Sequence, residues 1–81
     1  MKKESQPKIA WVRWFDASYQ RGECTVGEFV PRIEMESAGF LVLETEESVS
    51  IALDYCAGDS TWRHIEHIPK VNILAMRLLS V

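Results

Sequence analysis

From Lys8 onward, apolar and polar positions alternate with a period of two, the pattern of strands rather than helices. The clearest stretch is Ser37 to Tyr55. An apolar run, Ala38-Gly39-Phe40-Leu41-Val42-Leu43, leads to an acidic turn, Glu44-Thr45-Glu46-Glu47-Ser48, and Val49 to Tyr55 then alternates strictly. This reads as a central β-hairpin. Its turn lacks Asn-Gly or Gly-X, so a loop longer than two residues is expected. With Glu44 opposite Val49, the residues Phe40, Val42, Ile51 and Leu53 share one face, and Leu41, Leu43 and Ala52 share the other. A change of one residue in loop length swaps the faces, so the register stays open. In either register the second apolar face needs a cover, which is a further strand layer or another subunit.

The other segments follow the same period. Residues 1–7 (MKKESQP) are polar and end in proline, which predicts a mobile lead-in. In the first strand Ile9, Trp11, Arg13 and Phe15 alternate with Ala10, Val12, Trp14 and Asp16, and bulky residues on both faces indicate an inner strand covered on two sides. Residues 17–36 read as a loop with at most one short helical turn. There Thr25 and Glu28 fit a capping box, while Gly27 and Pro31 limit its length. Val30 to Glu36 resumes alternation and runs into the hairpin as one long strand bent at Ser37-Ala38-Gly39, where glycine permits a bulge. Cys56 to Ser60 is turn chemistry, and Thr61 to Ile68 is a fourth strand closed by Pro69. The tail Val71–Val81 fits either a helical stripe (Leu74, Ala75, Leu78, Leu79) or a strand (Ile73, Ala75, Arg77, Leu79). A fifth strand closing the sheet against the first would remove an exposed edge, which favours a strand after a brief turn over Pro69 to Asn72.

Composition narrows the function classes. The 81 residues allow one domain, over 8–81, and 47% apolar residues with three tryptophans suffice for a small core. Twelve acidic residues against nine basic ones give a net charge of −3, which disfavours a generic nucleic-acid binder because an acidic body repels phosphate. The lysines near the start precede no long apolar run, and the apolar stretches are too short to span a bilayer, so a soluble, cytoplasmic protein with no membrane partner is expected. Two cysteines, Cys24 and Cys56, are too few for a disulfide framework and read as free thiols, with one bridge as the alternative.

Five strands, a strongly bent second strand, a central hairpin and an Ile-Pro-Lys corner make the plan of a small five-stranded antiparallel barrel of the SH3-like or Sm-like kind. The motifs go further than the plan. Trp14-Phe15-Asp16-Ala17-Ser18, Ser37-Ala38-Gly39-Phe40-Leu41-Val42-Leu43-Glu44, Val49-Ser50-Ile51-Ala52-Leu53 and Ile68-Pro69-Lys70-Val71-Asn72-Ile73 resemble those of a family of small, largely uncharacterised proteins from bacteriophages and integrated elements. The resemblance spans most of residues 9–79. Phe40 stands where that family often has tryptophan, Ala38 replaces valine, and Asp54 to Thr61 has its own sequence. The resemblance implies no catalytic residues. It is also similar to Sm-like proteins, which form rings and bind RNA, but the glycine-and-asparagine loop signatures of that group are absent, leaving only Asn72 after Pro69-Lys70.

Candidate chemistry is sparse. Cys24, Cys56, His64 and His67 are the right types for a zinc site, but no close cysteine pair exists, and His64 and His67 on one strand point to opposite faces. A Cys-His or His-Asp catalytic pair using Cys24, Cys56, His64, Asp54 or Asp59 would need a cleft that a barrel of this size does not offer. Trp11, Trp14, Trp62, Phe15, Tyr19 and Phe40 could stack bases, yet only Arg13, Arg63 and Lys70 stand near them, and core packing is the simpler use. The expected function is a non-enzymatic β-barrel without cofactor or metal, acting through protein contact. Its partner is another copy of itself or a partner protein, and its interaction surface is drawn from Leu41, Leu43, Trp14, Arg13, Arg63 and Lys70. An Sm-like module binding RNA or another single-stranded nucleic acid is the alternative, favoured where Arg13, Arg63, Lys70 and Arg77 converge.

Overall fold

Five antiparallel strands form one sheet: β1 (Lys8–Ala17), β2 (Arg32–Glu44), β3 (Ser48–Cys56), β4 (Thr61–Pro69) and β5 (Ile73–Ser80), in the order β4-β3-β2-β1-β5. The structure is a computed structural model and describes residues 8–80; the expected lead-in, 1–7, and the last residue of the tail lie outside the described residues. The only helical elements among these are two single turns of 3-10 helix, Val26–Glu28 and Lys70–Asn72. The first is the short turn expected within 17–36, and the second is the corner expected between Pro69 and the last strand. The ambiguous tail is a strand paired with β1 from Lys8↔Ser80 to Trp14↔Ile73. The sheet is nevertheless open, because β4 and β5 stand at its two ends.

A sheet of five strands can bury a core only by folding over, and β2 is the strand that folds. Its first half pairs with β1, from Ile9↔Phe40 to Ala17↔Arg32, and its second half pairs with β3, from Phe40↔Ala52 to Glu44↔Val49. The two pairings overlap only at Phe40, beside Gly39. A side chain on Gly39 would put its Cβ 2.6 Å from the carbonyl oxygen of Ala52, so the strands cross closely there because the residue has none. One residue further on, the ladder shifts between Leu41 and Leu43, a β-bulge that adds twist. The halves enclose Ala10, Val12 and Trp14 from β1 with Val49 and Ile51 from β3 and Ile68 from β4. Leu41, Ile73 and Met76 pack at the border.

The bulge corrects the expected hairpin faces. Glu44 does lie opposite Val49, but the extra residue Val42 resets the ladder, so that Leu41 faces Ile51 and Phe40 faces Ala52. Leu41 therefore joins the core, Ala52 is buried, and Leu43 is left exposed. The expected apolar face of Leu41, Leu43 and Ala52 does not exist as one surface. Period-two extrapolation fails across a bulge because one inserted residue exchanges inside and outside. The turn itself is held by Thr45, whose backbone N–H donates to the Ser48 carbonyl (2.9 Å) while its hydroxyl accepts from the Ser48 N–H (3.0 Å) and the Glu47 N–H (3.2 Å). Threonine supplies here the turn chemistry that the missing Asn-Gly would have provided.

Among the described residues the single buried polar side chain is Ser50, 3% exposed, whose hydroxyl lies 2.7 Å from Nδ1 of His67 on β4. A buried hydroxyl without a partner costs about 1–3 kcal/mol. We expect His67→Ala to lower stability by about that amount, Ser50→Ala to cost less, and the double substitution to cost no more than His67→Ala alone. Urea midpoints of the four proteins check this, and additive single costs would show that the two side chains do not act as a pair.

Candidate functional site

The six residues expected to form an interaction surface do not lie together. Trp14 is 5% exposed, and its indole N–H donates to Ser37 Oγ at 3.0 Å, so it belongs to the core. Leu41 packs at the border of the same core, whereas Leu43 is exposed. Arg13 lies 3.7 Å from Glu34 on the neighbouring strand. Lys70 closes the corner, with Nζ 2.8 Å from Glu44 and its backbone N–H donating to the Glu47 carbonyl at 2.8 Å. Arg63 sits opposite Asp54 in the β3–β4 ribbon, seven residues from Lys70 and hence about 23 Å away along an extended strand. The four cations of the nucleic-acid alternative do not gather on one surface: Arg13 and Arg77 share the outer face of β1 and β5, while Arg63 and Lys70 lie at opposite ends of β4.

What covers the second face of β1 is the chain's own charged side chains. Trp11 donates its indole N–H to Glu36 Oε1 at 3.0 Å and lies under the Arg77 guanidinium, 6.0 Å from the ring centre. Arg32 stands 4.0 Å over the ring of Phe15. With Arg13 beside Glu34, two of the aromatics considered for base stacking, Trp11 and Phe15, are covered by the chain's own charged side chains. Sequence inspection misses this because Glu36 and Arg77 meet Trp11 only through the β2–β1–β5 register.

The cysteines and histidines are likewise dispersed. Cys24 is an exposed free thiol in the loop before the first 3-10 turn, and Cys56 is a half-buried free thiol at the end of β3. His64 approaches Asp54 at 3.8 Å, while His67 is engaged by Ser50. Among the described residues no group of three or more His, Cys, Asp or Glu side chains could hold a metal ion. No helix there is long and apolar enough to cross a membrane.

The 18–31 loop is an ordered arm. Gln20 spans it, its amide N–H donating to the Glu28 carbonyl (2.9 Å) and its Oε1 accepting the Val30 N–H (2.8 Å), and the Ser18 hydroxyl bonds the Val30 carbonyl. Glu28 completes the threonine cap, accepting from the Thr25 N–H and hydroxyl, both at 3.0 Å. The arm leaves Tyr19, Val26, Phe29 and Val30 exposed. The Thr25 N–H, and then its hydroxyl, hold the Glu28 carboxyl below its ordinary 4.5. A depressed folded-state value means that the cap is complete above about 4.5 and is lost as the pH falls through the lower folded value. The Thr25 amide resonance is expected to titrate with a midpoint below 4.5 in an NMR pH series, and a midpoint at or above it would show that the cap does not form in solution.

The remaining features are the two ends of the sheet. The free edges of β4 and β5 each carry a row of backbone N–H and C=O groups without a strand partner among the described residues. Val71, Leu74, Leu78 and Leu79, on and beside β5, are all exposed. No family model matches this chain, and no curated protein or solved structure matches it either.

Proposed function

We propose that this chain is a non-enzymatic β module of the phage or mobile-element type that acts through protein contact, in the first place with further copies of itself. The observation that carries this reading is the imbalance between core and surface. Seven apolar residues are buried, whereas fourteen large apolar residues are exposed among those described. Open strand edges supply the hydrogen-bonding groups for association, and the exposed apolar residues supply area. On the nucleic-acid alternative, Arg13 and Lys70 are occupied by carboxylates and Trp14 is buried, which weighs against a stacking platform.

The test is light scattering on a size-exclusion column at low and high salt, with absorbance followed at 260 and 280 nm. A mass that is a multiple of 9.3 kDa with a protein-like absorbance ratio is expected. A monomer at all concentrations would overturn self-association. A nucleic-acid-like ratio lost at high salt would move the assignment to the RNA-binding alternative.

A further inference from the structure

The self-association proposed above leaves open which edge is used, and the two edges differ in chemistry. Within its nine residues β4 carries Arg63, His64, Glu66 and His67 and ends on Pro69, which has no N–H to give. His64 also adopts a positive φ of 57°, which interrupts the strand, and the β3–β4 ladder skips the Leu53/His64 position. Charges, a kink and a proline are the devices that keep an edge from pairing. β5 has neither kink nor proline over Ala75 to Ser80. Its sequence ILAMRLLS contains one charge, Arg77, and from Ala75 to Ser80 it runs in unbroken register with β1.

We propose that two copies of the chain join edge to edge through β5, antiparallel about a two-fold axis beside Leu78, so that two five-stranded sheets become one. This rests on the self-association reading and assigns its surface. A second copy is the occupant because the edge is self-complementary: antiparallel pairing of identical strands satisfies the free backbone groups of both, and a two-fold contact closes on itself. For the core-facing sides of the two sheets to stay continuous, residues of like parity must face each other, which places the axis at a residue rather than between two. The centre of the regular stretch offers Arg77 or Leu78. An axis at Arg77 would set like charges opposite each other, and an axis at Leu78 sets Arg77 of each copy opposite Leu79 of the other. Such a contact covers the exposed sides of Leu78 and Leu79.

Charge placed at position 79 tests the register directly. Leu79 is 59% exposed, so replacing it leaves the core intact. In sedimentation equilibrium, the unmodified chain is expected at twice 9.3 kDa. Leu79→Lys would face Arg77 of the second copy and shift the population toward single chains. Leu79→Glu would face the same arginine with opposite charge, and its dimer is expected to be about tenfold tighter than that of Leu79→Lys, given two such pairs per dimer. Ile65→Lys on the β4 edge should leave the dimer in place. Amide exchange of the unmodified chain gives a second readout independent of any variant: slowing at high concentration over 75–80 and not over 61–68. Equal dimer constants for the Lys and Glu variants, concentration-dependent slowing confined to β4, or masses above the dimer would each overturn the β5 contact while leaving self-association standing. A monomer at every concentration would overturn both.

Discussion

Gly39→Ala is expected to destabilise the protein by about 3 kcal/mol, at the upper end of the usual cost of overpacking. The added Cβ would lie 2.6 Å from the Ala52 carbonyl oxygen and 3.1 Å from its carbon. Both atoms are backbone, in the ladder pair Phe40↔Ala52, so no flexible side chain can yield. The strands must separate where β2 passes from one half of the sheet to the other, and that separation would loosen the packing of Val12 and Trp14 against Val49 and Ile51. Gly58→Ala provides the control, because nothing lies within 4 Å of its Cβ position. Urea titrations of the three proteins check the prediction. Equal midpoints for the Gly39 and Gly58 variants would show that the strands do not approach as described.

Ile68→Ala should cost roughly 2–5 kcal/mol, the range for removing a buried isoleucine side chain and leaving a cavity. Ile68 is fully buried and is the largest side chain so enclosed among the described residues. It is also the contribution of β4 to a core of six residues, so little else can collapse into the gap. A domain of this size loses roughly 4–8 °C of melting temperature per kcal/mol, so a fall of at least about 8 °C is expected by circular dichroism. Val71→Ala, at a side chain 93% exposed, should move the transition by no more than a degree or two. A comparable shift in both variants would contradict the placement of the core. Because small domains carry little stability to spare, the Ile68 variant is also a sensitive probe of dimerisation: its melting temperature should rise with protein concentration if association is coupled to folding.

The strand pattern was legible because the period of two is a local property. Whether a residue such as Val49 or Ile51 points inward depends on its immediate neighbours along the strand, and both are buried. The close crossing at Gly39 and the capped turn at Thr25 and Glu28 were legible for the same reason, since glycine and the Thr-x-x-Glu spacing act through their own backbone, but the bulge expected at Ser37-Ala38-Gly39 lies at Val42 instead. The candidate surface was not. Trp14 and Trp11 are adjacent kinds of residue in the sequence, yet one is core and the other is capped by Glu36 and Arg77. That difference arises from pairing partners up to 66 positions apart in the chain, as Trp11 and Arg77 are.

The sequence by itself determined the all-β class, the first four strands, the capped turn at Thr25 and Glu28 and the glycine at the crossing, all of which follow from local backbone preference and hydrophobic period, whereas the fifth strand, left open by its own period, was decided by pairing with β1. Tertiary structure alone decided the rest. The bulge at Val42 sent Leu41 inward and Leu43 outward, because register is a relation between strands. Lys70 and Arg13, expected to serve a partner, were drawn into pairs with Glu44 and Glu34, and Arg77 was laid over the Trp11 ring, because charge is answered by whatever the fold brings near. And the sheet was left open between a charged, kinked β4 and an apolar β5, because which strands end a sheet depends on topology, which no local pattern encodes.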